Sequence, residues 1–391
     1  MKVKRGLFSI YACAILVLFT LYAAQPIQPL FKEQFALGDL QAVIFTTVIM
    51  LPLGVAPILY GYILENFPQK RMLRMSLFLL GILEIAFAFS DSYGALIGIR
   101  AVQGLLIPAA LTSLISYVSV SSSAADMQKA LGNYVGITII GGFLGRFLSG
   151  LSSEYFGWRL FFLLIGVGLV ASSFFLSRIG DDGKSGFGKP TGREIAAILR
   201  VRHNALICAA ILCVFFVFQG LLNFLPFELK SIDTTTGGGK TGLMYTGYVI
   251  GIVTALNVTR VIRFFGSASR AMIAGMLIYI AGLQIFHVQS FAVMFFSMFV
   301  FCLGMFMVHS LAAGYINKLA GERKSITNGL YLSFYYAGGT LGTFVPGIFY
   351  YRWGWHVFVG VLTFALLLAL VLMTLLARRA APLDKPADPG N

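Results

Sequence analysis

Charge is what this sequence has least of. Only 11% of its 391 residues are Asp, Glu, Lys or Arg, against roughly 25% in a soluble globular protein, which excludes an ordinary water-soluble fold. Cysteine is also scarce. Cys13, Cys208, Cys213 and Cys302 all sit inside apolar runs, without metal-ligand spacing, so they read as packing residues and neither a disulfide framework nor a metal site is expected. There is no HExxH, no pair of catalytic acids in a soluble segment and no Cys/His cluster. The stretch GGGKTG (Gly237 to Gly242) looks like part of a phosphate-binding loop, but that motif needs a glycine where Thr234 stands and a preceding soluble strand. No enzyme and no cofactor are expected.

What the sequence has in abundance is apolar length. Hydrophobic residues make up 58% of the chain, in repeated runs of about 20 residues, each able to cross a hydrocarbon core about 30 Å thick. The first run, from Leu7, lacks a small-residue cleavage site, so a signal peptide is not invoked. Charged and turn-rich breaks give twelve candidate helices, at 7–31, 41–64, 72–90, 93–118, 129–152, 158–178, 204–229, 242–262, 271–288, 290–316, 326–350 and 354–377. An even number places both termini on one side. Of the 29 basic residues, twenty-two fall in loops on that side, five on the other, and Arg100 and Arg146 inside spans. Basic loops stay cytoplasmic, which makes both termini cytoplasmic. The net charge of +14 therefore reports topology and not nucleic-acid binding, since it is spread over separate segments.

The chain also repeats itself. Shifted by 197 residues, GNYVGITIIGGFLGRFLSGLSSEYFGWRLF overlies GLYLSFYYAGGTLGTFVPGIFYYRWGWHVF, with glycines coinciding at 141 and 338, 142 and 339, 145 and 342, 150 and 347, and 157 and 354, and Trp158 on Trp355. This predicts an all-α polytopic membrane protein of twelve transmembrane helices in two six-helix parallel repeats, residues 1–180 and 204–377. A cytoplasmic linker spans 181–203 and a cytoplasmic tail 378–391. Parallel repeats of this kind suit a transporter whose site lies between two rocking halves. The linker segment REIAAILRVR (Arg193 to Arg202) predicts a short amphipathic helix on the membrane surface.

These features resemble the major facilitator superfamily. RAVQG (Arg100 to Gly104) matches the family's Arg-x-x-Gln-Gly motif, which implicates Arg100 in proton transfer and brings Gln103 with it. GGFLGRFLSG resembles the glycine-rich motif of the drug:proton antiporter branch, with Gly141–Gly142 for the usual Gly-Pro and Arg146 as an extra residue. GYILENFPQKR (Gly61 to Arg71) resembles the gating loop between spans two and three. Gly61, Glu65, Lys70 and Arg71 fit it, and Asn66, Pro68 and Gln69 depart from it. YAAQPIQPLF resembles a pattern common in bacterial efflux members, in which prolines loosen span one and Gln25 offers hydrogen bonds to a ligand.

Several side chains then stand out. Arg100, Arg146 and Glu84 each lie about 10 Å from the outer ends of their spans at 1.5 Å per residue, in one layer. Charges at such depth usually face the bundle interior or a wet cavity. Two readings stay open: a proton-coupling or substrate-sensing network, and a static buried pair with a snorkelling arginine. Gln219 and Asn223 share a helix face and either line the cavity or bridge helices. His309, Tyr331 and Tyr335 are further candidates for the cavity, with ordinary packing as the alternative. On span five, Gly136 and Gly150 project on one side while Gly141, Gly142 and Gly145 spread over the other, two small-residue faces for close helix packing. Gly338, Gly339 and Gly342 repeat part of that pattern.

The expected function is a monomeric secondary transporter of a bacterial inner membrane, exporting amphipathic small molecules by alternating access with protons as the coupling ion. Its partners are the small-molecule substrate and the lipid bilayer. Uptake or exchange of a sugar, metabolite or organic anion is the alternative within the class, and a non-transporting receptor or channel-like protein the alternative outside it.

Overall fold

A computed structural model describes residues 2–38, 40–56, 60, 68–121, 127–176, 191–319 and 324–380, and among these residues every regular element is helical. In chain order they are α1 (Lys2–Tyr22), α2 (Gln28–Gln34), α3 (Ile44–Met50), α4 (Gln69–Phe89), α5 (Tyr93–Ser121), α6 (Met127–Tyr155), α7 (Trp158–Leu176), α8 (Gly192–Arg200), α9 (Arg202–Ile232), α10 (Gly238–Met244), α11 (Tyr248–Leu256), α12 (Val258–Phe265), α13 (Ala268–Ile285), α14 (Phe291–Leu319) and α15 (Lys324–Ala380). Of these residues, eight helical stretches are long and apolar enough to cross a membrane, and the bent α10–α12 segment makes a ninth. Large apolar side chains point outward from them: Phe156, Phe296 and Phe364 are each about 70% exposed, an arrangement that water would penalise and lipid would not. Gly61 and Glu65 of the expected gating loop, most of the linker and the C-terminal tail lie outside the described residues, while Lys70 and Arg71 fall in the first turn of α4.

Several expected helices are broken, and the local chemistry accounts for each break. Span one, read as continuous over 7–31, ends as α1 at Tyr22, passes through a 3-10 turn at Gln25–Ile27 and resumes as α2. Pro26 and Pro29 have no N–H to donate to the preceding turn. Span two leaves α3 at Met50 for a 3-10 turn at Leu51–Gly54 that contains Pro52. Span eight bends by 72° between α11 and α12. There Asn257 leaves helical geometry and its side chain donates to the Val253 carbonyl at 2.8 Å, a local bond that competes with the helix ladder. The last two expected spans run together as α15, whose 57 residues would extend roughly 85 Å if straight, nearly three times the roughly 30 Å of a hydrocarbon core. The bend comes at Gly354, whose φ is +80°.

The linker helix starts at a capping box. The Thr191 hydroxyl accepts from the Glu194 backbone, and the Glu194 carboxylate accepts from the Thr191 N–H at 2.8 Å.

Packing follows the glycines. α1 and α6 run side by side in the same direction. Gly141 lies against Ile15 and Leu18, and Gly145 against Phe19, so closely that a side chain at either would press on its neighbour. In α15, Gly338 lies against Leu212 of α9 and Gly342 against Phe216. Each of these contacts is the first pair displaced by 197 residues, so the repeat extends in space to segments whose sequences do not visibly align. Gly157 and Gly354, matched by the same shift, both adopt φ near +80°, and the following tryptophans are both buried. Contacts between residues before 177 and those after 191 come mainly from α6 against α10 and α11, and from α3 and the Leu51–Gly54 turn against α15.

Candidate functional site

Where these two sets of helices meet, they enclose a cavity of about 210 Å³. It runs from Arg146 and Gln219 at one end to Ile115, Tyr134 and Leu332 at the other. Tyr134 precedes Arg146 on α6 by twelve residues, about 18 Å of helix, toward the end at which α1, α6, α9 and α15 begin. Its wall is aromatic. Phe215 and Tyr335 stack with centroids 3.5 Å apart, Phe218 packs on Tyr248 at 5.5 Å, and His309 lies against Tyr335 at 4.6 Å. Tyr331 stands behind this wall, its hydroxyl 2.9 Å from the His309 Nδ1.

Arg146 sits at the closed end of the cavity, 1% exposed. Its Nε donates to Gln25 Oε1 at 2.5 Å, Nη1 to the Gly142 carbonyl at 2.7 Å, and Nη2 to Gln219 Oε1 at 3.5 Å. The guanidinium lies over the Tyr22 ring at 3.8 Å, with Tyr248 and Tyr245 at 5.3 and 5.6 Å. Beyond it, buried amides and hydroxyls tie the early helices to the late ones. Gln25 Nε2 donates to Gln219 Oε1 at 3.2 Å. The Asn223 carbonyl receives Gln28 at 2.9 Å, Thr46 at 2.6 Å and Gln25 at 3.3 Å, and its NH₂ donates to the Thr343 carbonyl at 2.8 Å. The break in span one places Gln25 and Gln28 in this lattice. An aromatic cluster around Phe31, which contacts Phe45 at 4.7 Å and Trp158 at 5.0 Å, holds α2 and α3 so that Gln28 and Thr46 meet.

Farther out, Glu154 accepts the Gly239 N–H at 2.7 Å and Lys230 pairs with Glu33 at 3.4 Å. On the connection after α9, Asp233 accepts from the Thr235 hydroxyl and backbone and from Lys240, and these bonds hold its carboxyl down at about 2.

A second polar centre lies inside the early helices, off the cavity wall. Arg100 Nη1 donates to the Thr20 carbonyl at 2.7 Å and to Gln103 at 3.1 Å, and Nε to the Phe45 carbonyl at 3.2 Å. Glu84, fully buried, feels the charge of Arg100, with Thr20 and Gln103 as its nearest polar neighbours. Neither carboxylate oxygen has a hydrogen-bond partner among the described residues, nor does Arg100 Nη2.

The three charges expected in one layer fall into two separate centres: Glu84 lies within electrostatic reach of Arg100, and Arg146 faces glutamines and tyrosines. The reason lies in helix faces, since depth along a helix says nothing of the direction in which a side chain points. Gln103, expected on the cavity wall, is turned to Arg100. Gln25 and Asn223 belong to the closing lattice, where burial of amides demands partners. Gln219, His309 and Tyr335 line the cavity. Gly141 and Gly145 face α1, Gly142 faces Tyr22 and Arg146, Gly136 approaches Leu256, Gly150 meets Gly238 and Gly242, and Gly339 faces Phe215.

Sequence reading passed over Tyr22, Gln28, Thr46, Phe215, Phe218 and Tyr248. For Tyr22, the signal was its place one turn before Gln25. It also passed over Glu228, buried near the C-terminal end of α9, which accepts from Gln289 at 2.5 Å and from Tyr350 at 3.0 Å. Its position inside an apolar run was the signal.

A sequence profile of the Major Facilitator Superfamily matches residues 10–267 and 232–391. An uncharacterized MFS-type transporter, YybF, of Bacillus subtilis is 27% identical, with 98% of this chain and 96% of that one covered. The inner membrane transport protein YnfM of Escherichia coli is 24% identical over 97% and 91%. Among solved structures, a bacterial homologue of the human lysosomal transporter Spinster, inward-facing and unoccupied, superposes with a TM-score of 0.81 at 13% identity, covering 99% of each chain. The nucleoside transporter NupG superposes with a TM-score of 0.75 at 12% identity, over 95% of this chain and 99% of that one.

Proposed function

The chain belongs to the major facilitator superfamily as a multi-pass membrane transporter of small molecules, and from that premise we propose that it exports amphipathic compounds in exchange for protons. The observation that carries this reading is the aromatic cavity between the two sets of helices, sealed at one end by the lattice centred on Asn223. The halves 1–180 and 204–391 rock about it. In the conformation described here the lattice closes the far side, and the cavity extends toward the side on which the chain begins. With both termini cytoplasmic in a bacterial inner membrane, by the distribution of basic residues, this is a monomer poised to load from the cytoplasm.

Stacking surfaces such as Phe215, Tyr335 and Phe218 suit an aromatic or lipophilic body, and Gln219 and His309 provide hydrogen bonds that orient it. Proton coupling falls to Glu84 and Arg100. A buried carboxylate within reach of a guanidinium changes its interaction with it when it takes up a proton, and the Thr20 and Phe45 carbonyls that accept from the guanidinium connect that change to span one and α3. Two conformations whose relative stability depends on one proton are what exchange requires.

The test is flux in inverted membrane vesicles. An imposed pH gradient, acid inside, drives accumulation of a fluorescent amphipathic probe in vesicles that contain the protein, and Arg100→Ala lowers the rate at least tenfold while Arg100→Lys keeps the protein folded and partly active. Probe movement indifferent to the gradient and to Arg100 would overturn the coupling.

A further inference from the structure

Among the described residues two arginines, Arg100 and Arg146, are buried, and their electrostatic situations differ. Arg100 has a carboxylate, Glu84, within reach of its charge. Arg146 has none. Its hydrogen-bond acceptors are two amide side chains and a backbone carbonyl, and its other neighbours are the faces of tyrosines. Among the described residues no Asp or Glu pairs with it, and none lines the cavity it faces. Tyrosine faces attract a cation but do not replace a counter-ion for a guanidinium withdrawn from water. A buried cation whose only open side is a ligand cavity is completed by a ligand of opposite charge.

Resting on the transport reading above, we propose that the cargo is an aromatic or amphipathic anion whose carboxylate, sulfonate or phosphate binds Arg146, and that the same residue couples cargo binding to release of the lattice that seals the cavity. The cavity selects in the same direction. Arg146 is the one full charge among the described lining residues, and the tyrosine hydroxyls, Thr112, Thr138 and Gln219 offer donors to an acceptor-rich head group. A cationic compound meets repulsion at the apex and no acid to offset it.

The geometry also supplies the coupling. Nε and Nη1 hold short bonds to Gln25 and Gly142 on the early helices, whereas Nη2 spans to Gln219 on α9 at 3.5 Å, the longest of the three. An anion on the outward edge of the guanidinium competes with that long bond and leaves the other two in place. Gln219 Oε1 also accepts from Gln25, which in turn donates to Asn223. Loss of the Arg146 contact is thereby felt by the lattice that closes the cavity. The shift of 197 residues places Thr343 opposite Arg146 in the repeat. Its carbonyl accepts from Asn223, so both equivalent positions belong to this closure and only the first carries charge.

Binding of a matched series tests the inference independently of proton coupling: 2-naphthoate, 2-naphthalenemethanol and 2-naphthylmethylamine, measured by equilibrium dialysis against the purified full chain in nanodiscs. The naphthoate is expected to bind at least tenfold more tightly than the alcohol, and the amine more weakly than either. Arg146→Gln brings naphthoate down to the affinity of the alcohol, and Arg146→Lys keeps most of the preference. Gln219→Glu places a carboxylate beside the guanidinium, so it also abolishes the preference while raising the melting temperature, which covers the case in which Arg146→Gln fails to fold. Equal or tighter binding of the amine, a preference unchanged in Gln219→Glu, or no binding by any of the three overturns the proposal. Cation binding with gradient-driven flux would leave export standing and remove the anion site. Naphthoate binding without flux would do the reverse.

Discussion

Asn223 is the residue on which the closed end of the cavity depends most. Three donors converge on its carbonyl from α2, α3 and the turn that begins at Gln25, and its own NH₂ reaches α15. Asn223→Leu keeps the volume and removes one acceptor from each of the Gln25 and Gln28 amides, which keep Gln219 and Thr46 for their other N–H. Each buried donor left without a partner costs about 1–3 kcal/mol, and about 1.4 kcal/mol is a factor of ten in an equilibrium. A shift of at least tenfold toward conformers open at that end is expected. Faster thiol labelling of a Thr236→Cys reporter reads it out, since Thr236 is buried at this end and the four native cysteines are buried as well. At Asp233 the prediction concerns pH. Its carboxyl is held down at about 2 by Thr235 and Lys240. A depressed pKa means that the contact is complete above the ordinary carboxylate range and is lost only as pH falls toward 2. Protection of the Thr235 amide in hydrogen exchange should therefore hold unchanged from pH 7 to pH 4, and Asp233→Asn should lower it throughout that range.

At the scale of elements, the glycines of α6 sort by neighbour. Gly141 and Gly145 admit α1, a contact internal to the early helices, whereas Gly150 admits α10 from the later ones. A side chain at Gly150 would run into the backbone of Gly238 and Gly242. Gly150→Val is expected to leave the early helices intact and to obstruct closure. The melting temperature stays near that of the parent, the Thr236→Cys reporter labels faster, and flux falls several-fold, with Gly150→Ala changing each in the same direction by less. Unimpeded flux by Gly150→Val would mean that this approach is not needed in the cycle. The helix breaks belong to this scale too. Pro26 and Pro29 were legible in the sequence as loosening elements because proline lacks a donor in any context. The bend at Asn257 was not, because an asparagine is tolerated in many helices and breaks one only where its side chain finds a carbonyl.

For the whole molecule, the contacts that seal the cavity must form and break in each cycle if the halves rock. Glu33 and Lys230 join the two sets of helices at the closed end with a half-exposed ion pair, the kind of contact that contributes about 0.2–1 kcal/mol and so opens readily. Replacing both by cysteine and bridging them with a short bifunctional thiol reagent should trap the closed end and stop flux, with activity restored by a cleavable reagent once it is reduced. Continued flux in the bridged protein would show that this end does not open.

The sequence by itself determined that the chain is a helical membrane protein, that it repeats at 197 residues and that it belongs with the facilitators. These follow from apolar length, glycine spacing and motif residues, all of which are one-dimensional. It also singled out Arg100, Arg146 and Glu84, because a charge inside an apolar run is conspicuous wherever it points. Only the tertiary structure decided which of them meet. Partnership depends on the rotation of each helix about its axis and on which helix lies opposite, and neither is written at the position of a single residue. That is why Glu84 comes within reach of the Arg100 charge, why Gln25 and Asn223 close the cavity and do not line it, and why Arg146 faces the cavity with no counter-ion among the described residues.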